Sequence, residues 1–121
     1  MAHEIMAFLE DIFCTAKIRE VARSQAKEVR FVRDLTALDR RLAGPVPEVV
    51  LVDLGVESLR PVELIRRIRE RPEWAQVRVA AWSSSAQPEL LEQATQAGAD
   101  VVFPKARLAV MLPELLQGAA V

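Results

Sequence analysis

Five side chains that could bind a metal ion or a phosphate each follow an apolar run of the sequence. They are Glu10, Asp11, Asp53, Ser83 and Lys105. Carboxylates gathered at one place repel one another, and they stay ionised at low cost only when a cation lies among them. Carboxylate oxygens, a backbone carbonyl and water are the ligands that Mg²⁺ prefers, and the ion keeps positions open for a phosphate. The acids therefore predict a magnesium site.

The hydroxyl and the ammonium group extend this chemistry to phosphoryl transfer. Ser83 can donate a hydrogen bond to a phosphoryl oxygen, and Lys105 can pair with an anion or hold a carboxylate in place. A metal ion and a lysine together neutralise charge on the equatorial oxygens of a transferring phosphoryl group. No other group is placed to be the nucleophile, so the sequence predicts a carboxylate in that role.

The elements that must position these residues follow from five alternations of apolar runs with amphipathic stretches. The predicted strands are Glu4–Leu9, Val29–Val32, Val49–Asp53, Val77–Trp82 and Asp100–Phe103. Strands separated by helices pair in parallel through right-handed crossovers, with helices on both faces of the sheet. The predicted fold class is therefore α/β, a three-layer doubly wound (βα)5 sandwich around a five-stranded parallel sheet.

Helix signals lie between the predicted strands. The amphipathic or apolar stretches are Thr15–Ala26, Leu35–Leu42, Pro61–Ile68, Pro88–Ala97 and Leu108–Leu116. Asp34 can cap the second helix, and prolines open the third and fourth. Pro113 predicts an interruption of the last stretch unless a helix begins there.

An open parallel sheet binds ligands beyond the carboxyl ends of its strands, where the strand order reverses. Taken singly, each candidate has an ordinary explanation. Glu10 and Asp11 could cap a helix, Asp53 could close a turn, Ser83 could belong to a plain loop, and Lys105 could be solvated. Their joint placement at the same end of different strands favours a functional site.

Composition and charge exclude several other classes of protein. The chain has 121 residues, of which 51% are hydrophobic, and 16 basic residues nearly balance 17 acidic ones. We expect a single domain over residues 1–121, with no nucleic-acid surface and no membrane patch. Cys14 is the only cysteine, which excludes an internal disulfide and a zinc site of several thiolates. A reducing, cytoplasmic location is the simplest expectation.

The sequence resembles a response-regulator receiver domain, the flavodoxin-like module of two-component phosphorelay signalling, over essentially the whole chain. The matching positions are the acidic pair Glu10 and Asp11, the acceptor Asp53, the hydroxyl Ser83 and the lysine Lys105. The segment QAGADVVFPK, which ends at Lys105, is also similar to that family. The resemblance implies the strand order 2-1-3-4-5 and a signalling role rather than an enzyme.

The resemblance also implies a ligand set for the metal. Asp11 and Asp53 would bind Mg²⁺ directly, and the backbone carbonyl of Gly55 would be the third protein ligand. Glu10 would act mainly through metal-bound water.

For the acceptor, the resemblance implies a phosphoryl donor and two phosphate-binding groups. Asp53 would take the phosphoryl group from a phosphohistidine on a sensor histidine kinase or a phosphotransfer protein. Ser83 and Lys105 would then hold the phosphoryl oxygens. Partners would be proteins, with no nucleic acid and no membrane, and a homodimer through the fourth helix, fifth strand and fifth helix (the α4–β5–α5 face) is a further expectation.

Four positions depart from the receiver pattern. Glu57 replaces the usual proline, Pro61 the usual glycine, and Ala106 the proline that normally follows the lysine. Val102 occupies the position of the aromatic switch residue, and its neighbour Phe103 would point to the opposite face. These departures leave a second interpretation open. The chain could be a phosphorylation-independent pseudo-receiver that acts as a protein–protein interaction or dimerisation module.

Overall fold

Five strands form one parallel sheet in a computed structural model that describes residues 4–84 and 87–117. The strands are β1 (Glu4–Phe8), β2 (Glu28–Phe31), β3 (Val49–Asp53), β4 (Arg78–Ser83) and β5 (Val101–Pro104). Their order is β2-β1-β3-β4-β5, and every neighbouring pair is parallel. The predicted fold class and strand order are both confirmed.

Five α-helices connect or follow the strands. They are α1 (Ile12–Ser24), α2 (Leu35–Leu42), α3 (Pro61–Glu70), α4 (Pro88–Ala97) and α5 (Leu108–Gln117). The first helix begins three residues before the predicted Thr15 because the side chain of Asp11 caps it. It ends before Ala26, whose φ of 57° lies in the left-handed region that an α-helix cannot include. Asp34 caps α2 as predicted, accepting a hydrogen bond from the N–H of Ala37 at 2.7 Å.

The sheet separates two apolar layers. Residues of β1, β3 and β4 point alternately into a layer under α2, α3 and α4 and into a layer under α1 and α5. All five residues of β3 are buried, which explains why the run VVLVD is apolar until its last position. Trp82 packs in the second layer, with its ring centroid 6.1 Å from that of Phe103.

The last helix contradicts the expectation of a break at Pro113. Helix α5 runs through this residue from Leu108 to Gln117. Pro113 is exposed, and so is Ala109, whose carbonyl loses its helical donor and can accept a hydrogen bond from water instead. The carbonyl of Pro113 accepts a hydrogen bond from Gln25 Nε2 at 2.8 Å, which fastens α5 to the end of α1.

Arg69 of α3 joins three parts of the chain that sequence patterns do not connect. Its Nε donates to the carbonyl of Gly98 at 2.9 Å, and its Nη1 to the carbonyl of Val77 at 2.7 Å. Its Nη2 binds Asp100 Oδ2 at 2.8 Å, and the same oxygen accepts from the N–H of Val79 at 2.8 Å. Because one guanidinium carries these bonds, it fixes α3 against the start of β4 and the turn before β5.

No helix in the described part of the chain is long and apolar enough to cross a membrane.

Candidate functional site

The carboxyl ends of four strands bring the predicted site residues to one edge of the sheet. Glu10 and Asp11 follow β1, Asp53 and Ser83 end β3 and β4, and Lys105 follows β5. Lys105 Nζ donates to Asp11 Oδ2 at 2.5 Å. Asp53 is close enough to both groups that their charges shift its pKa. The structure therefore brings Asp53, Asp11 and Lys105 together at this edge.

Asp11 has two structural tasks at this edge. Its Oδ1 accepts hydrogen bonds from the N–H groups of Phe13 at 2.8 Å and Cys14 at 3.2 Å, which caps α1. Its Oδ2 binds the ammonium of Lys105. The hydrogen bond from Lys105 is the main reason that the pKa of Asp11 lies below its usual value, and the same bond raises the pKa of Lys105. Both groups are therefore held in their charged forms.

Asp53 is only 8% exposed at the end of a buried strand. Its Oδ1 accepts the N–H of Gly55 at 2.8 Å, whereas its Oδ2 accepts no hydrogen bond from the described residues. Burial raises the pKa of Asp53, and the carboxylates of Asp11 and Glu10 raise it further, while the Gly55 N–H and Lys105 lower it. A cation at this edge would favour the ionised carboxylate, which is the nucleophilic form.

Gly55 has no side chain to crowd the carboxylate of Asp53. A Cβ atom at this position would lie 3.2 Å from Asp53 Oδ1 and 3.9 Å from Ser84 Oγ. The loop before it is fixed, because the N–H of Leu54 donates to the carbonyl of Trp82 at 2.8 Å. A side chain at Gly55 would therefore crowd the acceptor.

Glu10 is exposed and binds a serine of the loop after β3. Its Oε1 accepts a hydrogen bond from Ser58 Oγ at 3.4 Å. Ser58 lies in a short 3-10 turn, Glu57–Leu59, directly before α3. Sequence reasoning missed this contact, because the pairing depends on how the loop after β3 folds back over the edge.

The ligands predicted from sequence are of the chemical type that Mg²⁺ prefers. Asp11, Asp53 and the carbonyl of Gly55 supply hard oxygen donors at one edge. Among residues 4–84 and 87–117, however, no three His, Cys, Asp or Glu side chains form a group that could hold a metal ion. Lys105 already donates to Asp11 Oδ2, so its positive charge opposes the binding of a cation at that oxygen.

Ser83 ends β4 in a buried position, with 2% of its surface exposed. It is in register with Pro104, the residue before Lys105, so β4 and β5 bring Ser83 and Lys105 to the same edge of the sheet. Of the serines that follow it, Ser84 is exposed, and Ser85 lies outside the described residues.

The loop positions that depart from the receiver pattern have defined backbone conformations. Arg60 has a φ of 46°, a left-handed conformation that glycine adopts at lower cost, and Pro61 then opens α3. All described peptide bonds are trans, which includes the bond between Lys105 and Ala106. Val102 and Phe103 point to opposite faces of the sheet as predicted.

Cys14 lies beside the site but has little nucleophilic character. It is buried, and burial together with the charge of Asp11 raises the pKa of its thiol. The prediction that Asp53 rather than a thiol supplies the nucleophile therefore keeps its support.

Comparison with known proteins places the fold. No protein-family model matches the sequence, and no curated protein matches it. Three solved structures of response regulators superpose closely. The phosphorylated cyanobacterial phytochrome response regulator RcpA has a TM-score of 0.82 and 18% identity, covering 97% of this chain and 93% of its own. The Mn²⁺-bound response regulator Rcp1 has a TM-score of 0.78 and 16% identity, covering 94% and 91%.

The third is the chemotaxis response regulator CheY4 of Vibrio cholerae, with a TM-score of 0.81 and 14% identity over 97% of this chain and 98% of its own. Identities this low establish the fold alone. The chain has the fold of a response-regulator receiver domain.

Proposed function

We propose that this chain is a response-regulator receiver in phosphorelay signalling and that Asp53 accepts the phosphoryl group. One observation carries the proposal. Asp53 ends a rigid, fully buried strand, its Oδ1 is fixed by the N–H of Gly55, and its Oδ2 accepts no hydrogen bond from the described residues. A carboxylate presented in this way has one oxygen oriented and the other ready for attack. The role is signalling rather than catalysis of a metabolic reaction.

Transfer of the phosphoryl group requires no nucleophile other than Asp53. Asp53 Oδ2 attacks the phosphorus of a phosphohistidine, a P–O bond forms, and the P–N bond breaks with its electron pair returning to the imidazole. Ser83 donates a hydrogen bond to one phosphoryl oxygen, and the ammonium of Lys105 pairs with another. The ammonium of Lys105 has three N–H donors, so it can keep its hydrogen bond to Asp11 Oδ2 while it pairs with the phosphoryl oxygen.

Mg²⁺ would be held by Asp11, Asp53 and the carbonyl of Gly55, with Glu10 contributing through water. The bound ion supplies charge neutralisation for the phosphoryl oxygens. The proposal is supported by the Mn²⁺-bound Rcp1 and the phosphorylated RcpA, which share this fold. The residues of this chain would contribute the oxygen ligands, and the Gly55 N–H and Lys105 would favour the ionised form of Asp53.

The phosphoryl donor is proposed to be a sensor histidine kinase or a phosphotransfer protein. The output is proposed to pass through a protein partner or a homodimer at the α4–β5–α5 face. The cytoplasm is the proposed location, since that is where such donors act.

The alternative is a pseudo-receiver that binds partners without phosphorylation. Three observations favour it specifically. The free oxygen of Asp11 is bound by Lys105, and the described acids form no three-membered metal group. Val102 also replaces the ring that would report on Ser83.

Intact-mass measurement after incubation with acetyl phosphate and Mg²⁺ separates the two functions. The parent chain should gain one phosphoryl group, and Asp53→Asn should gain none. Asp39→Asn is the matched control, since Asp39 is an exposed aspartate that pairs with Arg67 on a different part of the surface. Binding of beryllofluoride with Mg²⁺, followed by ¹⁹F NMR, removes the dependence on a phosphate donor. A parent chain with neither a phosphoryl adduct nor bound beryllofluoride would establish the pseudo-receiver.

A further inference from the structure

A cavity outside the acceptor site lies between α1 and β2, at the edge of the sheet. Its volume is about 340 Å³, within the range of pockets that bind small molecules. It is lined by apolar groups of Leu9, Ile12 and Phe31 and by polar groups of Glu10, Thr15, Arg19 and Arg33. The cavity therefore combines an apolar wall with two guanidinium groups.

Arg19 is held in position without using its hydrogen-bond donors. Its guanidinium carbon lies over the ring of Phe31, 4.9 Å from the ring centroid. Within residues 4–84 and 87–117, it forms no ion pair with a carboxylate. A guanidinium that is stacked on an aromatic ring loses little freedom when its N–H fork binds a carboxylate or phosphate.

Arg33 adds a second cation to the same cavity. It is exposed, lies two residues after β2, and has no ion pair in the described part of the chain. Glu10, the one carboxylate among the lining residues, pairs with neither arginine in the described part of the chain and accepts a hydrogen bond from Ser58. The two guanidinium groups therefore outnumber the lining carboxylate and leave the cavity with a net positive charge.

The seam between α1 and β2 continues beyond this cavity. A second cavity of about 310 Å³ shares Arg19 and includes Arg23 and Val29 among the residues that line it. A ligand longer than the first cavity has room to extend along this seam past Arg19.

We propose that the cavity between α1 and β2 binds a small organic anion. Its carboxylate or phosphate group would lie between Arg19 and Arg33, and its apolar body would pack against Leu9 and Ile12. The hydroxyl of Thr15 could donate a further hydrogen bond to the anion. This site is separate from phosphorylation of Asp53, so it can be tested on the unphosphorylated chain.

Titration of the ¹⁵N-labelled chain with benzoate, phenyl phosphate, benzamide and sulfate, followed by amide chemical shifts, tests the site. We expect saturable shifts centred on residues 9–15 and 31–33 with benzoate or phenyl phosphate, and the tighter of the two identifies the preferred anionic group. Benzamide has the shape of benzoate without its charge, and sulfate has charge without an apolar body. Each should bind at least about tenfold more weakly than the better aromatic anion.

Arg19→Gln and Arg33→Gln should each weaken the better probe by about tenfold, the effect of one lost charge-assisted contact. Arg40→Gln is the control, because Arg40 is an exposed arginine of α2 away from the cavity, and it should leave binding unchanged. Shifts that do not saturate, benzamide or sulfate binding as tight as the aromatic anions, or binding that survives both arginine substitutions would each overturn the proposal.

Discussion

Lys105 and Asp11 meet at 2.5 Å across 94 positions of the sequence. The contact joins the end of β5 to the cap of α1. The carboxylate of Asp11 therefore caps the helix, binds the lysine and would also be the ligand of a metal ion. Asp11 Oδ2 can accept from Lys105 and bind a cation at once, but the two positive charges then repel each other. This repulsion weakens the binding of a cation at the site.

Replacing Lys105 with Gln should tighten Mg²⁺ binding by about fivefold, because one positive charge near the cation is removed and Asp11 Oδ2 is freed. The dissociation constant can be measured by calorimetry at fixed ionic strength. Lys17→Gln, an exposed lysine of α1, is the matched control and should change it little. Weaker Mg²⁺ binding in Lys105→Gln would show that the lysine does not oppose the binding of the cation.

The same pair should make a small, pH-limited contribution to stability. The pKa of Asp11 is lowered from 3.8, so its contribution is present above that pH and is lost as pH falls through the folded-state pKa. The pKa of Lys105 is raised from 10.5, so its contribution is present below that pH and is lost as pH rises further. Lys105→Gln should therefore lower the free energy of unfolding by less than about 1 kcal/mol, and by the same amount at each pH between 5 and 9. Urea unfolding at several pH values measures this difference. A loss that changes steeply within that range would contradict the pairing.

Asp53→Asn should stabilise the fold near neutral pH. Burial raises the pKa of Asp53 above 3.8, so the parent chain loses stability as pH rises from that value through the folded-state pKa. Asparagine keeps an acceptor for the Gly55 N–H and carries no buried charge, and we expect a Tm higher by about 2–5 °C at pH 7. The difference should shrink as pH approaches 4 in thermal unfolding. An unchanged difference at low pH would exclude charge burial as its cause.

Gly98→Ala should be strongly destabilising. Gly98 has a φ of 125°, and a Cβ there would lie 2.4 Å from Arg69 Cγ, within the guanidinium network that fixes α3. We expect a loss of about 2–4 kcal/mol in the free energy of unfolding. Gly44→Ala is the control, since the nearest atom to its Cβ would be the carbonyl oxygen of Arg41 at 3.6 Å, and it should stay within about 1 kcal/mol.

Pro113→Ala should stabilise α5, because alanine restores a helical N–H in the exposed middle of the helix. We expect a gain of about 1–3 kcal/mol in urea unfolding. Pro88→Ala makes the same replacement at the first position of α4, where proline costs a helix nothing, and should have little effect. Equal effects of the two substitutions would show that the interior position of Pro113 is not the cause.

The sequence predicted the parts of this fold that depend on local pattern. The five strands lie within one residue of their predicted runs, and the runs of β1, β3 and β4 are the most apolar because both faces of these strands are covered. The start of α1 was predicted too late, because its first residues, Ile12 and Phe13, are exposed and do not follow the apolar pattern of the helix. The contacts of Arg69 with Gly98 and of Glu10 with Ser58 could not be predicted, since they depend on the three-dimensional path of loops and leave no periodic signal.

Asp53 and Ser83 lie at the edge of a sheet that separates two apolar layers, and this position has a mechanical consequence. Among the described residues, no buried side chain belongs to both apolar layers. Asp53 continues the face of Leu51 toward α1 and α5, whereas Ser83 continues the face of Ala81 toward α2, α3 and α4. A phosphoryl group bonded to Asp53 and hydrogen-bonded to Ser83 would therefore link the two apolar layers at the carboxyl edge of the sheet.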